Sequence, residues 1–182
     1  MKLNRQLLSL IAIATPTLCC AFPAPFTPIT HLPFTISAPG IYDLMTDLTA
    51  APNTTAITVY QQTGYVFLNL NGHTIHMSGP ASRGILVYLN GYQVGTTLVG
   101  YGTISGANIG VDTVDLSPNA PVKLQLQNML FQHINGVTED VHLARTDGIQ
   151  LNNLSCNGKL GILIDIIFPL NINFTNATTT SN

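Results

Sequence analysis

Short runs of alternating apolar and polar residues recur along the chain, and turn-forming residues separate them. An example is Tyr65–Leu70, where Val66, Leu68 and Leu70 stand at every second place. This spacing puts one face of a strand against a core. Helical spacing is nearly absent, and Gly, Asn and Thr are too frequent for long helices. The pattern predicts an all-β chain built from many short strands.

Apolar positions also recur over longer intervals of 21 to 29 residues. A column of anchor positions holds Ile75, Ile104, Phe131, Cys156 and Ala177. Seven residues earlier stand Leu68, Thr97, Leu124, Ile149 and Leu170, and five residues earlier stand Leu70, Val99, Leu126, Leu151 and Ile172. A second series opens at Gly84-Ile85, Gly110-Val111, Gly136-Val137 and Gly161-Ile162. Repeats of this length predict a solenoid, in which each coil buries its face on its neighbours.

Three phrases carry a family resemblance: Leu68–Ile75, Tyr101–Gly106 and Leu126–Phe131. They resemble the repeats of the right-handed parallel β-helix, the pectin-lyase-like superfamily, and the resemblance covers roughly residues 33–177. It implies an all-β, right-handed parallel β-helix solenoid of about five to six coils. It also implies that Asn128 and Asn153, which share one column, stack as a ladder at a bend, with Asn71 one place away.

The N-terminus has the order of a secretory signal peptide. Lys2 and Arg5 precede the mostly apolar run Leu7–Leu18, and small residues lead to a cleavage point after Ala21. We therefore expect a signal peptide over residues 1–21, a lead-in or cap over 22–40 and β-helix repeats over 41–182. The expected product is secreted, either extracellular or periplasmic. No later apolar run is long enough to span a membrane.

Charge narrows the choice of partners. Only 8% of the residues are charged, and six Lys and Arg in total exclude a nucleic-acid binder. Removal of the signal peptide leaves a net charge of −4 and one cysteine, Cys156, which we expect to be a buried thiol. The histidines are scattered without a ligand spacing, so we expect no metal site and no cofactor. Asp112 and Asp115 are predicted to be solvated or turn residues.

One dense cluster contains the residue types of a polysaccharide-cleaving site: Glu139, Asp140, His142, Arg145 and Asp147. A hydrolase needs two carboxylates, whereas a lyase acting on uronates needs a base and usually Ca²⁺, which we expect only in that case. Thr146–Ile149 resembles a polygalacturonase phrase in which Asp147 would be the catalytic acid. Arg145 replaces the Asn of that phrase, and the other parts of the site are absent.

The sequence therefore predicts an exported, non-catalytic parallel β-helix. Its expected role is to bind a polysaccharide or cell-surface glycan, or to serve as a structural, adhesin-like module. Self-association through an open solenoid end is a further expectation, because an uncovered sheet edge pairs with other chains. The alternative is a polysaccharide lyase or glycoside hydrolase that acts on uronate-containing polysaccharide through the cluster at residues 139–147.

Overall fold

The computed structural model describes residues 25–60, 64–89, 95–115, 123–132, 139–144, 149–157, 162–165, 172–175 and 178–179. These residues form strands joined by turns. In chain order the strands are β1 Phe26–Ile29, β2 Phe34–Ile36, β3 Gly40–Leu44, β4 Leu48–Thr49, β5 Thr55–Tyr60, β6 Gly64–Asn69, β7 Thr74–His76, β8 Arg83–Leu89, β9 Gly95–Ser105, β10 Ile109–Asp115, β11 Lys123–Gln132, β12 Glu139–Ala144, β13 Ile149–Asn157, β14 Ile162–Asp165, β15 Ile172–Thr175 and β16 Thr178–Thr179. No helix in the described ranges is long and apolar enough to cross a membrane.

The strands form two parallel sheets, which we call sheet A and sheet B. Sheet A has the order β1-β3-β6-β9-β11-β13-β15, with β4, β7 and β16 paired beside this path. Sheet B has the order β14-β12-β10-β8-β5-β2. Successive strands of one sheet are separated along the chain by a strand of the other, so the chain winds as a parallel β-solenoid. The predicted fold class is confirmed.

The nearly continuous part of the described chain makes about three turns, fewer than the five to six coils expected. Later strands extend both sheets, because β11 pairs with β9 and β12 pairs with β10. At the other end, β1 and β2 join sheets A and B through parallel pairing with β3 and β5.

The core is a stack of apolar rows along the solenoid axis. Ile75 lies opposite Ile104, Ile104 opposite Phe131, and Phe131 opposite Cys156, as the anchor column predicts. Ile75, Ile104 and Phe131 are buried. Each coil is therefore stabilised by the burial of apolar side chains on the coils above and below it.

Two other predicted rows begin two residues before the expected place. They start at Val66 and Leu68, not at Leu68 and Leu70, because Val66 lies opposite Thr97. The coil that contains the turn at Asn71-Gly72-His73 has two more residues before its anchor than the next coil has. This longer turn accounts for the shift.

The later coils also differ from the predicted register. Val111 pairs with Val141, four residues beyond the expected Val137. In the last coil Thr179, two residues beyond Ala177, lies opposite the anchor of the preceding coil. The number of residues between paired strands therefore differs from coil to coil, while the parallel pairing of the described strands continues.

The predicted asparagine ladder is confirmed at one bend of the coils. Asn71, Asn128 and Asn153 have φ angles of 52°, 52° and 51°, the left-handed region that Asn adopts more readily than most residues. The Asn153 Nδ2 donates a hydrogen bond to Asn128 Oδ1 at 2.7 Å. The side-chain amides therefore connect adjacent coils where the backbone bends.

Candidate functional site

A tyrosine occupies the bend of β9 where neighbouring coils have asparagine. Gly100 pairs with Gln127 and Gly102 pairs with Met129, so Tyr101 lies opposite Asn128. The φ angle of Tyr101 is 63°. A bulky residue in this region is a backbone outlier, and such outliers cluster at functional sites.

Tyr101 belongs to a group of three aromatic rings, which we call the aromatic row: exposed Tyr65, half-buried Phe67 and exposed Tyr101. The Phe67 and Tyr101 rings meet edge to face with centroids 6.2 Å apart, and the Tyr65 and Phe67 rings are 6.5 Å apart. Tyr65 is 47% exposed and Tyr101 is 43% exposed. Tyr65 and Phe67 lie two residues apart on β6, and Tyr101 lies on the neighbouring strand β9 of sheet A.

Polar groups border the aromatic row. The Tyr101 hydroxyl donates to Gln127 Oε1 at 3.3 Å, and the Asn69 Nδ2 donates to Asp43 Oδ1 at 3.1 Å. Partial burial, with a smaller effect of Tyr101, raises the pKa of the Tyr65 hydroxyl above its ordinary value. The Tyr65 hydroxyl can donate a hydrogen bond. The surface combines ring faces with amide and hydroxyl groups.

A second group, which we call the charged cluster, lies on sheet B and consists of Arg83, Asp112 and His142. The Arg83 Nε donates to Asp112 Oδ2 at 2.8 Å, and His142 Nδ1 lies 2.8 Å from Asp112 Oδ1. The Asp112 side chain is 5% exposed, whereas those of Arg83 and His142 are 44% and 26% exposed. A nearly buried carboxylate is thus held by one basic group on each oxygen.

The charged cluster connects three coils, because its members come from β8, β10 and β12. His142 lies directly opposite Asp112 in the parallel register. The pairing leaves the Nε2 atom of the imidazole on the far side of the ring from Asp112. An Asp–His pair of this kind orients an imidazole and is compatible with proton transfer at Nε2.

The charged cluster corrects the expectation for Asp112 and contains one of the candidate catalytic residues. Asp112 is neither solvated nor in a turn: it lies within β10, and its burial is offset by its two basic partners. Of the five candidate catalytic residues, His142 belongs to the cluster. Glu139 and Asp140 lie at the start of β12, but their side chains are outside the described part, as are Arg145 and Asp147 entirely.

The other candidate side chains lie outside the aromatic row and the charged cluster. No group of three His, Cys, Asp or Glu side chains within the described residues could hold a metal ion. The Asp47 carboxylate accepts a hydrogen bond from the Thr74 backbone N–H at 2.8 Å and lies 3.4 Å from His73 Nδ1. Tyr60 and Tyr88 stack on sheet B with centroids 5.0 Å apart, away from the aromatic row.

The chain matches no protein-family model, no curated protein and no solved structure. The function is therefore inferred from the arrangement of side chains. Sequence reasoning missed Tyr101, although a signal was present. Tyr101 stands three residues before its anchor Ile104, the place that Asn128 and Asn153 hold in later coils.

Proposed function

We propose that this protein is an exported, non-catalytic parallel β-helix that binds glycans through the aromatic row on sheet A. Tyr101 carries the proposal, since it replaces a ladder asparagine and presents an exposed ring. The pectin-lyase-like resemblance and the predicted signal peptide support an exported protein that meets polysaccharides. A structural, adhesin-like role is compatible with the same surface.

The backbone at Tyr101 favours a role in binding over a role in stability. A left-handed conformation costs a non-glycine residue about 1–2 kcal/mol, and asparagine tolerates it better. Asparagine would also continue the ladder from Asn128. A half-exposed tyrosine regains part of this cost through its contact with Phe67, and the rest of its side chain stays open to solvent. The strain is therefore better explained by what the ring contacts outside the protein.

The chemistry of the aromatic row suits sugars. The faces of aromatic rings carry negative charge density that attracts the weakly positive C–H groups on one face of a pyranose. The Tyr65 and Tyr101 hydroxyls and the amide of Gln127 can exchange hydrogen bonds with sugar hydroxyls. A rigid row of rings also loses little conformational entropy on binding.

The proposal is tested by polysaccharide binding measured with the purified protein and three variants. Tyr101→Asn should fold, because Asn suits the ladder position, and should bind about tenfold more weakly, as expected for the loss of one ring contact. Tyr65→Ala should weaken binding by a similar factor. Tyr60→Ala, which removes an equally exposed tyrosine from sheet B, is the matched control and should bind normally. Equal binding by all four proteins, or no binding by any, contradicts the proposal.

The Asp112–His142 pair favours a second candidate function, cleavage of an acidic polysaccharide with His142 as proton acceptor or donor. This candidate predicts release of reducing ends or unsaturated uronides that disappears in His142→Gln. Binding without cleavage, unchanged in His142→Gln, supports the non-catalytic proposal instead. Cleavage that is lost in this variant would replace it.

A further inference from the structure

We propose that Asn71 is a site of spontaneous deamidation, and that local opening of the contact between the coils of β6 and β9 controls the rate of this modification. The reaction replaces a neutral amide with a carboxylate at the bend next to Tyr101. The inference is independent of the proposed glycan binding, because it rests on the backbone of the bend and on the chemistry of an Asn-Gly pair.

The turn that follows β6 contains Asn71 and Gly72, and both residues are exposed. Glycine is the residue that least obstructs cyclisation of a preceding asparagine, since it has no side chain beside its nitrogen. Apart from the chain neighbours of Gly72, no atom of the described residues lies within 4 Å of the place that a Cβ there would take. Asn128 and Asn153, at the same bend of later coils, are each followed by a large buried side chain. The turn after β6 therefore differs from the other two asparagine bends in its access to this reaction.

The reaction needs only hydroxide and water. Hydroxide removes the proton of the Gly72 backbone nitrogen, and this nitrogen attacks the side-chain Cγ of Asn71. The new N–Cγ bond forms, the Cγ–Nδ2 bond breaks, and ammonia leaves with a proton taken from water. Water then opens the cyclic imide at either carbonyl. The products are aspartate and isoaspartate, in which the main chain runs through the side-chain carboxyl group.

The stacked coils restrain the first step of this reaction. The Gly72 N–H donates a hydrogen bond of 2.6 Å to the Tyr101 carbonyl oxygen, so the proton that must leave is held between two coils. The Asn71 N–H donates to Asn69 Oδ1 at 2.9 Å, which fixes the other side of the same residue. Native proteins open such contacts locally, at free energies below that of global unfolding. The nitrogen of Gly72 therefore becomes reactive when the bend opens.

The two products have different effects on the bend. Aspartate keeps the length of the backbone and adds one negative charge beside Tyr101. Isoaspartate adds a methylene group to the main chain, which displaces the Gly72 N–H from the Tyr101 carbonyl oxygen. We therefore expect the isoaspartate form to lose the hydrogen bond of this bend between the two coils.

Peptide mapping by mass spectrometry tests the inference with the complete purified protein. At mildly alkaline pH the peptide that contains Asn71 should deamidate at least about tenfold faster in urea than in the folded protein. Asn71→Gln should remain unmodified at this position, because the larger ring closes much more slowly. Equal rates in the two conditions, or an unmodified Asn71 in urea, overturn the inference. The mapping also separates Asn71 from the other asparagines that precede glycine, which are Asn90, Asn135 and Asn157.

Two variants distinguish local opening of the bend from global unfolding. Asp47→Ala removes the acceptor of the Thr74 N–H at the end of the same turn, so it should accelerate deamidation of the folded protein about threefold or more. Asp112→Ala is the matched control, since it removes a carboxylate from sheet B and leaves the turn intact. An unchanged rate in Asp47→Ala refutes the inference, and so does an acceleration by Asp112→Ala that equals or exceeds that of Asp47→Ala. None of these outcomes depends on whether the protein binds glycans.

Discussion

Replacing Asp112 with alanine should lower the free energy of unfolding by about 2–3 kcal/mol. Asp112 is the central member of the charged cluster. Its Oδ2 accepts a hydrogen bond of 2.8 Å from Arg83 Nε, and its Oδ1 lies 2.8 Å from His142 Nδ1. Hydrogen bonds to a charged group contribute roughly 1.5–3 kcal/mol each, which sets an upper limit of about 6 kcal/mol. Two effects reduce this limit.

The first effect is solvation of the partners. The Arg83 side chain is 44% exposed and that of His142 is 26% exposed, so water replaces much of what each loses. The second effect is that alanine removes the cost of keeping a carboxylate nearly out of water. Together these effects reduce the limit by about half. For a chain of this size the expected loss corresponds to a fall in Tm of about 4–12 °C.

Two further variants make the measurement specific to the charge. Asp112→Asn keeps the shape and one acceptor for Arg83 Nε, so it should cost about 1 kcal/mol. Thr58→Ala, in the same outward position two coils earlier, should cost less than about 1 kcal/mol. Urea unfolding followed by circular dichroism measures all three. A change below about 0.5 kcal/mol for Asp112→Ala, which is comparable to the error of the method, would refute the reasoning that the cluster stabilises the contact between its coils.

Three other predictions concern the scaffold. Gly84→Ala should destabilise the protein by about 1–3 kcal/mol in urea unfolding, because the new Cβ would lie 2.5 Å from the Gly110 carbonyl oxygen. The variant should leave the proposed glycan binding unchanged. Unaltered stability would contradict the close approach of the two backbones. Asn153→Ala should lower the free energy of unfolding by about 1–2 kcal/mol. Asn153→Gly should lower it less, since glycine adopts the left-handed conformation of the bend easily. Equal losses of the two variants in thermal unfolding would assign the whole effect to the hydrogen bond between Asn153 and Asn128. The Thr74 backbone N–H, and to a smaller extent His73, hold the pKa of Asp47 below its ordinary value. The contribution of Asp47 to stability is therefore complete above about pH 4 and is lost as the pH falls through the lowered pKa. Asp47→Asn should make unfolding less dependent on pH below about pH 4, and an unchanged profile would exclude this role.

The sequence predicted the parallel solenoid and its anchor column because apolar residues of a solenoid must recur wherever coils stack. Its errors in register, at Leu68, Val137 and Ala177, are displacements of two or four residues. An even displacement keeps every side chain on the same face of a strand, so a period-two pattern does not detect it. Only hydrogen-bond pairing between coils resolves the difference.

The candidate sites were less predictable than the fold. His142 stood out because acidic residues surround it in the sequence, yet its partners Arg83 and Asp112 come from two preceding coils. The sequence distance from His142 to Asp112 is 30 residues, and no local motif indicates that they meet. The aromatic row was hard to predict for the same reason, since Phe67 and Tyr101 become neighbours only when two coils stack.

At the bend that contains Tyr101, each coil can carry either of two kinds of residue. Asparagine there joins the coil to its neighbour, and an aromatic residue there adds a contact surface while the strand pairing on both sides continues. The substitution changes one residue and leaves the length of the coil unaltered. A solenoid of this type can therefore gain or lose exposed aromatic rings coil by coil, through single substitutions at one bend. Each such change removes the asparagine bond that stabilises the contact between neighbouring coils.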